Sequence, residues 1–196
     1  MRPPPLYNAV AVLSRPVLYG LFRLRVQGQE NVPATSGCVL SCNHLSNFDP
    51  WPLGMPLWPR HWLRFMAKAE LYWWPAKYLL AAAGAFPVRR GLADREAIDT
   101  AVQLARNGHV IAMFPEGTRR RKGLRKRHEA HAHSGAARIA IDAGVPLVPA
   151  GIKGTNGLRR LEGWRVRYGA AVEVSDDAAE TTERLMAAIH ELESSL

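Results

Sequence analysis

Short apolar runs alternate along this chain with longer stretches patterned at the helical period. That alternation restricts the fold to an α/β sheet packed by helices. The runs that read as strands are Leu24–Gln27, Gly37–Cys42, Leu63–Ala67, Ala85–Arg89, Val110–Phe114, Leu147–Ile152 and Arg165–Val174. Helices are expected over Leu6–Phe22 and over Glu70–Ala83, the latter closed by Gly84. A third runs from an Asp94 cap through Asn107 to a stop at Gly108. A small-residue helix starts at Ser134 and ends at Gly144 and Pro146, and a closing helix spans Asp177–Ser194. The expected architecture is one α/β domain (23–196) with a mostly parallel or mixed central sheet flanked by helices. An amphipathic, membrane-associating helical segment (1–22) precedes it. In such folds ligands gather at the carboxyl ends of strands.

With 196 residues and 47% hydrophobic content the chain can bury a proper core. Its charge is less ordinary: 26 Lys and Arg against 17 Asp and Glu leave a net charge of +9, a surface that attracts polyanions such as anionic lipid, phosphorylated substrates or nucleic acid. Cys38 and Cys42 lie in an extended segment that holds them roughly 13 Å apart, beyond disulfide reach. They read as two buried free thiols suited to a reducing compartment. No stretch reads as a secretory signal, and Pro75, Lys77, Gly84 and Pro87 interrupt the longest apolar run, so peripheral attachment is expected rather than a membrane span.

The sharpest local signal is Asn43-His44-Leu45-Ser46-Asn47-Phe48-Asp49-Pro50. A histidine emerges directly after a buried strand, and an aspartate follows five positions later. Pro50 suits a first helical position and biases Asp49 toward extended backbone, which makes Asp49 a natural N-cap. Ser46 and Asn47 supply a turn that folds it back on His44. A carboxylate on one imidazole nitrogen fixes the tautomer and leaves the other nitrogen free to take a proton from a hydroxyl. A second strand stops at Phe114-Pro115-Glu116-Gly117-Thr118-Arg119, which offers a carboxylate, a hydroxyl and a guanidinium suited to phosphate.

With these motifs the sequence resembles the glycerolipid acyltransferases of the 1-acylglycerol-3-phosphate acyltransferase type. The His44 to Asp49 segment matches that family's first motif. Gly84-Ala85-Phe86-Pro87-Val88-Arg89-Arg90 is similar to the second, Phe114 to Arg119 to the third, and Val145-Pro146-Leu147-Val148-Pro149-Ala150-Gly151 to the fourth. The resemblance implies that His44 is the general base and Asp49 its orienting partner. Arg90, Glu116, Gly117, Thr118 and Arg119 are implied to hold the glycerol phosphate, and Pro149 to shape the acyl-donor side. It implies direct transfer from acyl-CoA or acyl-ACP to the free sn-2 hydroxyl of 1-acylglycerol 3-phosphate, giving phosphatidic acid, with no cofactor and no covalent enzyme intermediate. Two departures bear on headgroup preference: His133 where many members carry a lysine, and a basic run over 119–127.

His128, His131 and His133 do not follow the zinc-protease spacing, because Ala132 stands where the second histidine is needed, and no metal is expected. The basic run lacks interleaved aromatics for base stacking. Anionic lipid is therefore the expected partner rather than nucleic acid, at about 1 kcal/mol per charge near such a surface. Trp51, Trp58, Trp62, Trp73 and Trp74 lie among Arg and Lys, the composition of a bilayer interface. The expected location is the cytoplasmic face of the cell membrane. The same chemistry on another lysophospholipid is the neighbouring reading. A non-catalytic basic module for anionic membranes or RNA is the contrasting one, and it has no use for a base and its orienter.

Overall fold

The computed structural model describes residues 3–88, 95–116, 133–157 and 163–196. Seven strands form one sheet: β1 (Arg25–Gln27), β2 (Cys38–Cys42), β3 (Leu63–Lys68), β4 (Ala85–Val88), β5 (Val110–Met113), β6 (Leu147–Lys153) and β7 (Arg165–Tyr168), in the order β1-β7-β6-β2-β5-β3-β4. All neighbours are parallel except β6 and β7. The sheet is therefore mixed, as the sequence pattern implies. β2 sits in the middle and every one of its residues is buried. A parallel strand covered on both faces is expected to be apolar throughout rather than alternating.

The two faces carry separate cores. Cys38, Leu40, Cys42, Val110, Ala112, Val148, Ala150 and Ile152 pack with Leu18, Phe22 and Leu53 of the N-terminal layer and with Trp164, which precedes β7. Val39, Ile111 and Leu147 pack on the other face against α4 (Arg95–Arg106), α5 (Gly135–Ala143) and α6 (Ala178–Ser194). Asp177 caps α6, its Oδ1 accepting the Ala179 N–H at 2.8 Å. Asp94, expected to cap α4, lies outside the described residues.

Helix α1 (Pro5–Arg15) buries Tyr7, Ala11 and Ser14 along one stripe, and continues as a π-helical turn over Pro16–Leu21. Pro16 has no N–H for the turn before it, so the ladder widens there. The outer face is apolar too, exposing Val12, Leu13 and Leu21. Trp51 Nε1 donates to Ser14 Oγ at 2.9 Å and Trp58 Nε1 to Asn8 Oδ1 at 2.8 Å, which ties α1 to the segment after the His44 loop.

Two expected elements differ. The helix over Glu70–Ala83 is a single 3₁₀ turn (Ala69–Leu71) followed by α3 (Ala76–Ala82). Pro75 denies the ladder an N–H and separates the two pieces. Gly84 does close α3, with φ +97°; a Cβ there would lie 2.0 Å from the Leu63 carbonyl oxygen. The strand over Arg165–Val174 ends at Tyr168. The register pairs Ala150 with Tyr168 but Leu147 with Val172, one residue more on the β7 side, so a bulge intervenes. It falls opposite Pro149, which accepts from Gly169 N–H at 2.8 Å but has no N–H to return.

Candidate active site

The site begins with how β2 ends. Asn43 is fully buried, and its side chain acts as one more rung of the sheet: Nδ2 donates to the Ile152 carbonyl at 2.9 Å, and the Ile152 N–H donates to Oδ1 at 2.8 Å. With both backbone groups of Ile152 satisfied by a side chain, the main chain is released from the sheet at His44. It then turns through Ser46, whose Oγ accepts the Phe48 N–H at 3.0 Å, into α2 (Pro50–Gly54) with Pro50 at its first position.

Asp49 does not cap α2 with its side chain, and its backbone is helical (φ −52°, ψ −39°) rather than extended. The carboxylate turns back instead. Oδ2 accepts from His44 Nδ1 at 2.8 Å, Leu45 N–H at 2.7 Å and Ser46 N–H at 2.8 Å, and Oδ1 accepts from Thr155 Oγ1 at 2.6 Å. Four hydrogen bonds to a fully buried carboxylate outweigh the modest preference of a residue before proline. Because a carboxylate only accepts, Nδ1 carries the proton of neutral His44 and Nε2 presents its lone pair. The imidazole is 14% exposed and lies stacked on Phe114, ring centroids 4.3 Å apart at 25°. Carboxylate on one side and aromatic plane on the other leave the ring little freedom to turn. This is the arrangement of a general base: fixed tautomer, fixed orientation, one nitrogen reaching solvent.

The loop after β5 leaves the sheet beside it. β2 and β5 are parallel neighbours with Ser41 opposite Met113, so Phe114, Pro115 and Glu116 emerge next to Cys42, Asn43 and His44. The His133 N–H donates to the Pro115 carbonyl at 3.0 Å, which brings the start of α5 to the same place. Burial pushes the Cys42 thiol well up, and the carboxylates of Asp49 and then Glu116 push it further. The parallel register places the His–Asp loop and the Pro–Glu turn at the same end of the sheet.

Glu116 is half-buried and engaged. Arg90, Gly117, Thr118 and Arg119 lie outside the described residues, as do His128, His131 and the basic run 119–127. Val88, the last residue of β4, stands at the same end of the sheet. Pro149 is not brought to the site: it is buried inside β6 opposite Ser41, three residues short of the level of His44, and abuts Gly169. Burial raises the Cys38 thiol to about 12 and the Cys42 thiol well above its ordinary range, so both stay protonated and neither is primed as a nucleophile.

Sequence reasoning passed over two residues of the site, Thr155 and the rung-forming role of Asn43. Thr155 follows β6 in the turn Gly154–Gly157, so the rule that functional groups gather at strand ends could have singled it out.

A family model described as Acyltransferase matches residues 23–153. The chain is 33% identical over 140 residues to the 1-acyl-sn-glycerol-3-phosphate acyltransferase of Bacillus subtilis, a match that covers 70% of this chain and 66% of that protein. It is 32% identical over 158 residues to the Haemophilus influenzae protein of the same name, covering 75% of this chain and 61% of the other. The chain thus spans somewhat less than two thirds of the length of these curated relatives. The crystal structure of the 1-acyl-sn-glycerophosphate acyltransferase PlsC from Thermotoga maritima superposes with a TM-score of 0.71 over 96% of this chain and 77% of that one, at 23% identity, and shares the fold. By the extent of the family match, this chain is a member of the acyltransferase family.

Proposed function

We propose that the chain transfers a fatty acyl group from a thioester, acyl-CoA or acyl-ACP, to the sn-2 hydroxyl of 1-acylglycerol 3-phosphate. The buried Asp49 that holds His44 by Nδ1 is the observation that carries this reading, and the names of the relatives support the acceptor. Nε2 of His44 takes the hydroxyl proton as the oxygen attacks the thioester carbonyl. The tetrahedral intermediate collapses with loss of the thiolate, and the imidazolium returns the proton to that sulfur. An ester and a thiol result. Asp49 stabilises the imidazolium between the two proton transfers. Arg90, Glu116, Gly117, Thr118 and Arg119 hold the glycerol phosphate in this reading.

The lipid acceptor is reached from an anionic membrane surface, on the cytoplasmic face. Leu13, Leu21 and Tyr19 are exposed on the N-terminal helical layer, Phe48 on the His44 loop, and Trp73, Trp74, Tyr78 and Leu79 around α3. Such apolar and aromatic surface beside Arg15, Lys68 and Lys77 fits an interfacial mode of attachment. Among the described residues no helix is long and apolar enough to cross a membrane.

The test uses purified protein, a labelled acyl thioester and a panel of lysolipids, read by product mass. Phosphatidic acid formed by the wild type and abolished in folded His44→Ala is the expected result. Turnover surviving in that variant refutes the base assignment, and product from a different lysolipid alone refutes the acceptor.

A further inference from the structure

A row of three cations crosses the sheet at the end where the active site lies, on the face that carries α6. The β6–β7 register places Lys153 opposite Arg165, and the β1–β7 register places Arg165 level with Arg25. Adjacent strands are about 4.8 Å apart, so three cationic residues stand side by side in the sheet, an arrangement that costs stability where the charges stay close. Among the described residues neither Lys153 nor Arg25 is ion-paired, while Arg165 reaches the backbone oxygen of Leu196. At the Arg25 end lies a cavity of about 170 Å³ lined by Arg23, Arg25, Gly163, Trp164 and Arg165. That space exceeds the ~30 Å³ share of a single water several-fold, enough for a phosphate group. Arg23 holds a left-handed backbone, φ 47°, the one non-glycine residue to do so among those described.

The row lies at the catalytic end of the sheet. β7 runs antiparallel to β6, so its first residue stands beside the last residue of β6. Lys153 directly follows Ile152, whose N–H and carbonyl are bound by Asn43, the residue before His44. Gly154, at φ +92°, packs so closely on the cavity wall that a Cβ would lie 2.9 Å from the Gly163 carbonyl oxygen. The next residue, Thr155, donates to Asp49. Trp164, which lines the cavity, also meets Trp51 edge-on at 6.0 Å, just beyond Asp49 and Pro50. β7 is two strand spacings, about 10 Å, from β2.

We infer that Lys153, Arg165 and Arg25, with Arg23, bind a phosphate of the thioester donor, the phosphate at the root of its phosphopantetheine arm. The inference rests on the proposed acyl transfer and says which side of the base each substrate occupies. The acceptor's phosphate is assigned to the turn after β5 and the end of β4, on one side of β2. The donor's charged end then falls to the other side, where the described residues of β6, β7 and β1 include Lys153, Arg165 and Arg25 and no Asp or Glu. Arginine forks suit a phosphate, and the sulfur end of a long flexible arm is left to pass over the ends of β6 and β2, from the α6 face to His44.

The test compares wild type with Arg25→Gln, Lys153→Gln and the double variant, each checked for an unchanged Tm. Initial rates are taken with acyl-CoA, with acyl-ACP and with varied lysolipid. The double variant is expected to raise the donor KM about tenfold with at least one of the two donors while kcat falls less than about threefold and the acceptor KM holds. The donor that responds identifies the source of the phosphate. Arg25→Lys should recover part of the affinity, and Arg184→Gln, which removes a charge from α6 away from the row, should leave the donor KM alone. A donor KM unmoved with both thioesters overturns the inference. Loss of binding to phosphatidylglycerol vesicles with the donor KM intact overturns it as well, and assigns the row to lipid headgroups. A wild type that turns over no thioester sinks the acyltransfer reading itself, which separates the two failures.

Discussion

Replacing Asp49 by Asn isolates the charge of the dyad from its geometry. The carboxylate accepts three N–H groups at Oδ2 and one hydroxyl at Oδ1. An asparagine whose amide oxygen takes the Oδ2 position keeps the three N–H bonds. Its NH₂ then faces Thr155 Oγ1, which can accept instead of donating. All four contacts survive and the loop folds. Asp49→Ala is a poorer probe, because it strands the part-buried Leu45 and Ser46 N–H groups and the buried Thr155 hydroxyl, at about 1–3 kcal/mol for a fully buried group.

What Asn cannot supply is the negative charge opposite the imidazolium that forms when His44 takes the acceptor's proton. Two unit charges about 4 Å apart at an effective dielectric near 20 attract by about 4 kcal/mol, which corresponds to roughly a thousandfold in kcat. The assay is release of free thiol from acyl-CoA under saturating lysolipid, with Tm measured in parallel. The expected result is a fall of that order in kcat with little change in either KM and a near-native Tm. A folded Asp49→Asn enzyme within about tenfold of wild type would mean that no cationic imidazole lies on the reaction path, and the base mechanism would fail with it.

Three smaller perturbations test the supports of the site and fold. Thr155→Val keeps the shape but removes the 2.6 Å hydrogen bond to Asp49 Oδ1, and kcat should fall about tenfold with the fold intact; an unchanged kcat removes Thr155 from the site. Gly84→Ala places a Cβ 2.0 Å from the Leu63 oxygen at a positive φ, so urea denaturation should show a loss of more than about 2 kcal/mol, and wild-type stability would contradict the observed turn. Burial, reinforced by the positive charges of Arg60 and Arg64 respectively, holds His61 and His109 below the usual histidine value of 6.5. The unfolded chain therefore binds more protons just below pH 6.5, and stability should be complete above that pH and decline as the pH falls toward the folded values; a His61→Gln/His109→Gln variant should lose that part of the slope in urea titrations, and an identical slope would refute it.

Much of this was legible because it is local. The seven strands and their closing glycines are announced by composition and period, and the His44–Asp49 segment by its position after a buried run. Where the sequence reading erred, a long-range contact overrode a local preference. Asp49 ought to be extended before Pro50, but Thr155, 106 residues away, and the loop's own N–H groups fix its carboxylate in a helical turn. β7 ought to continue to Val174, but its ladder meets Pro149 of β6, which cannot return a hydrogen bond. The Pro75 break was visible in the sequence; the error there was to let a helical period outweigh a missing N–H. The basic row could not be read at all, since nothing local sets Arg25 beside Arg165.

The strand order explains why the chemistry sits where it does. From β2 the chain moves away past β5 to β3, whereas from β6 it moves the other way to β7. The loops that follow these two neighbouring strands therefore diverge, and a crevice is left between their carboxyl ends, the position at which open α/β sheets bind ligands. Both unusual contacts of the site cross this crevice: Asn43 to Ile152, and Asp49 to Thr155. Loops would normally be exposed at these strand ends; here buried side chains stitch the two strands together, so the base stands on a rigid floor. A two-substrate transfer needs that geometry, because acceptor and donor must approach one imidazole without passing through each other. The turn after β5 lies on one flank, and the cations of β6, β7 and β1 on the other. Substitutions on the first flank should then move the acceptor KM, substitutions on the second the donor KM, and only those in the crevice should move kcat alone.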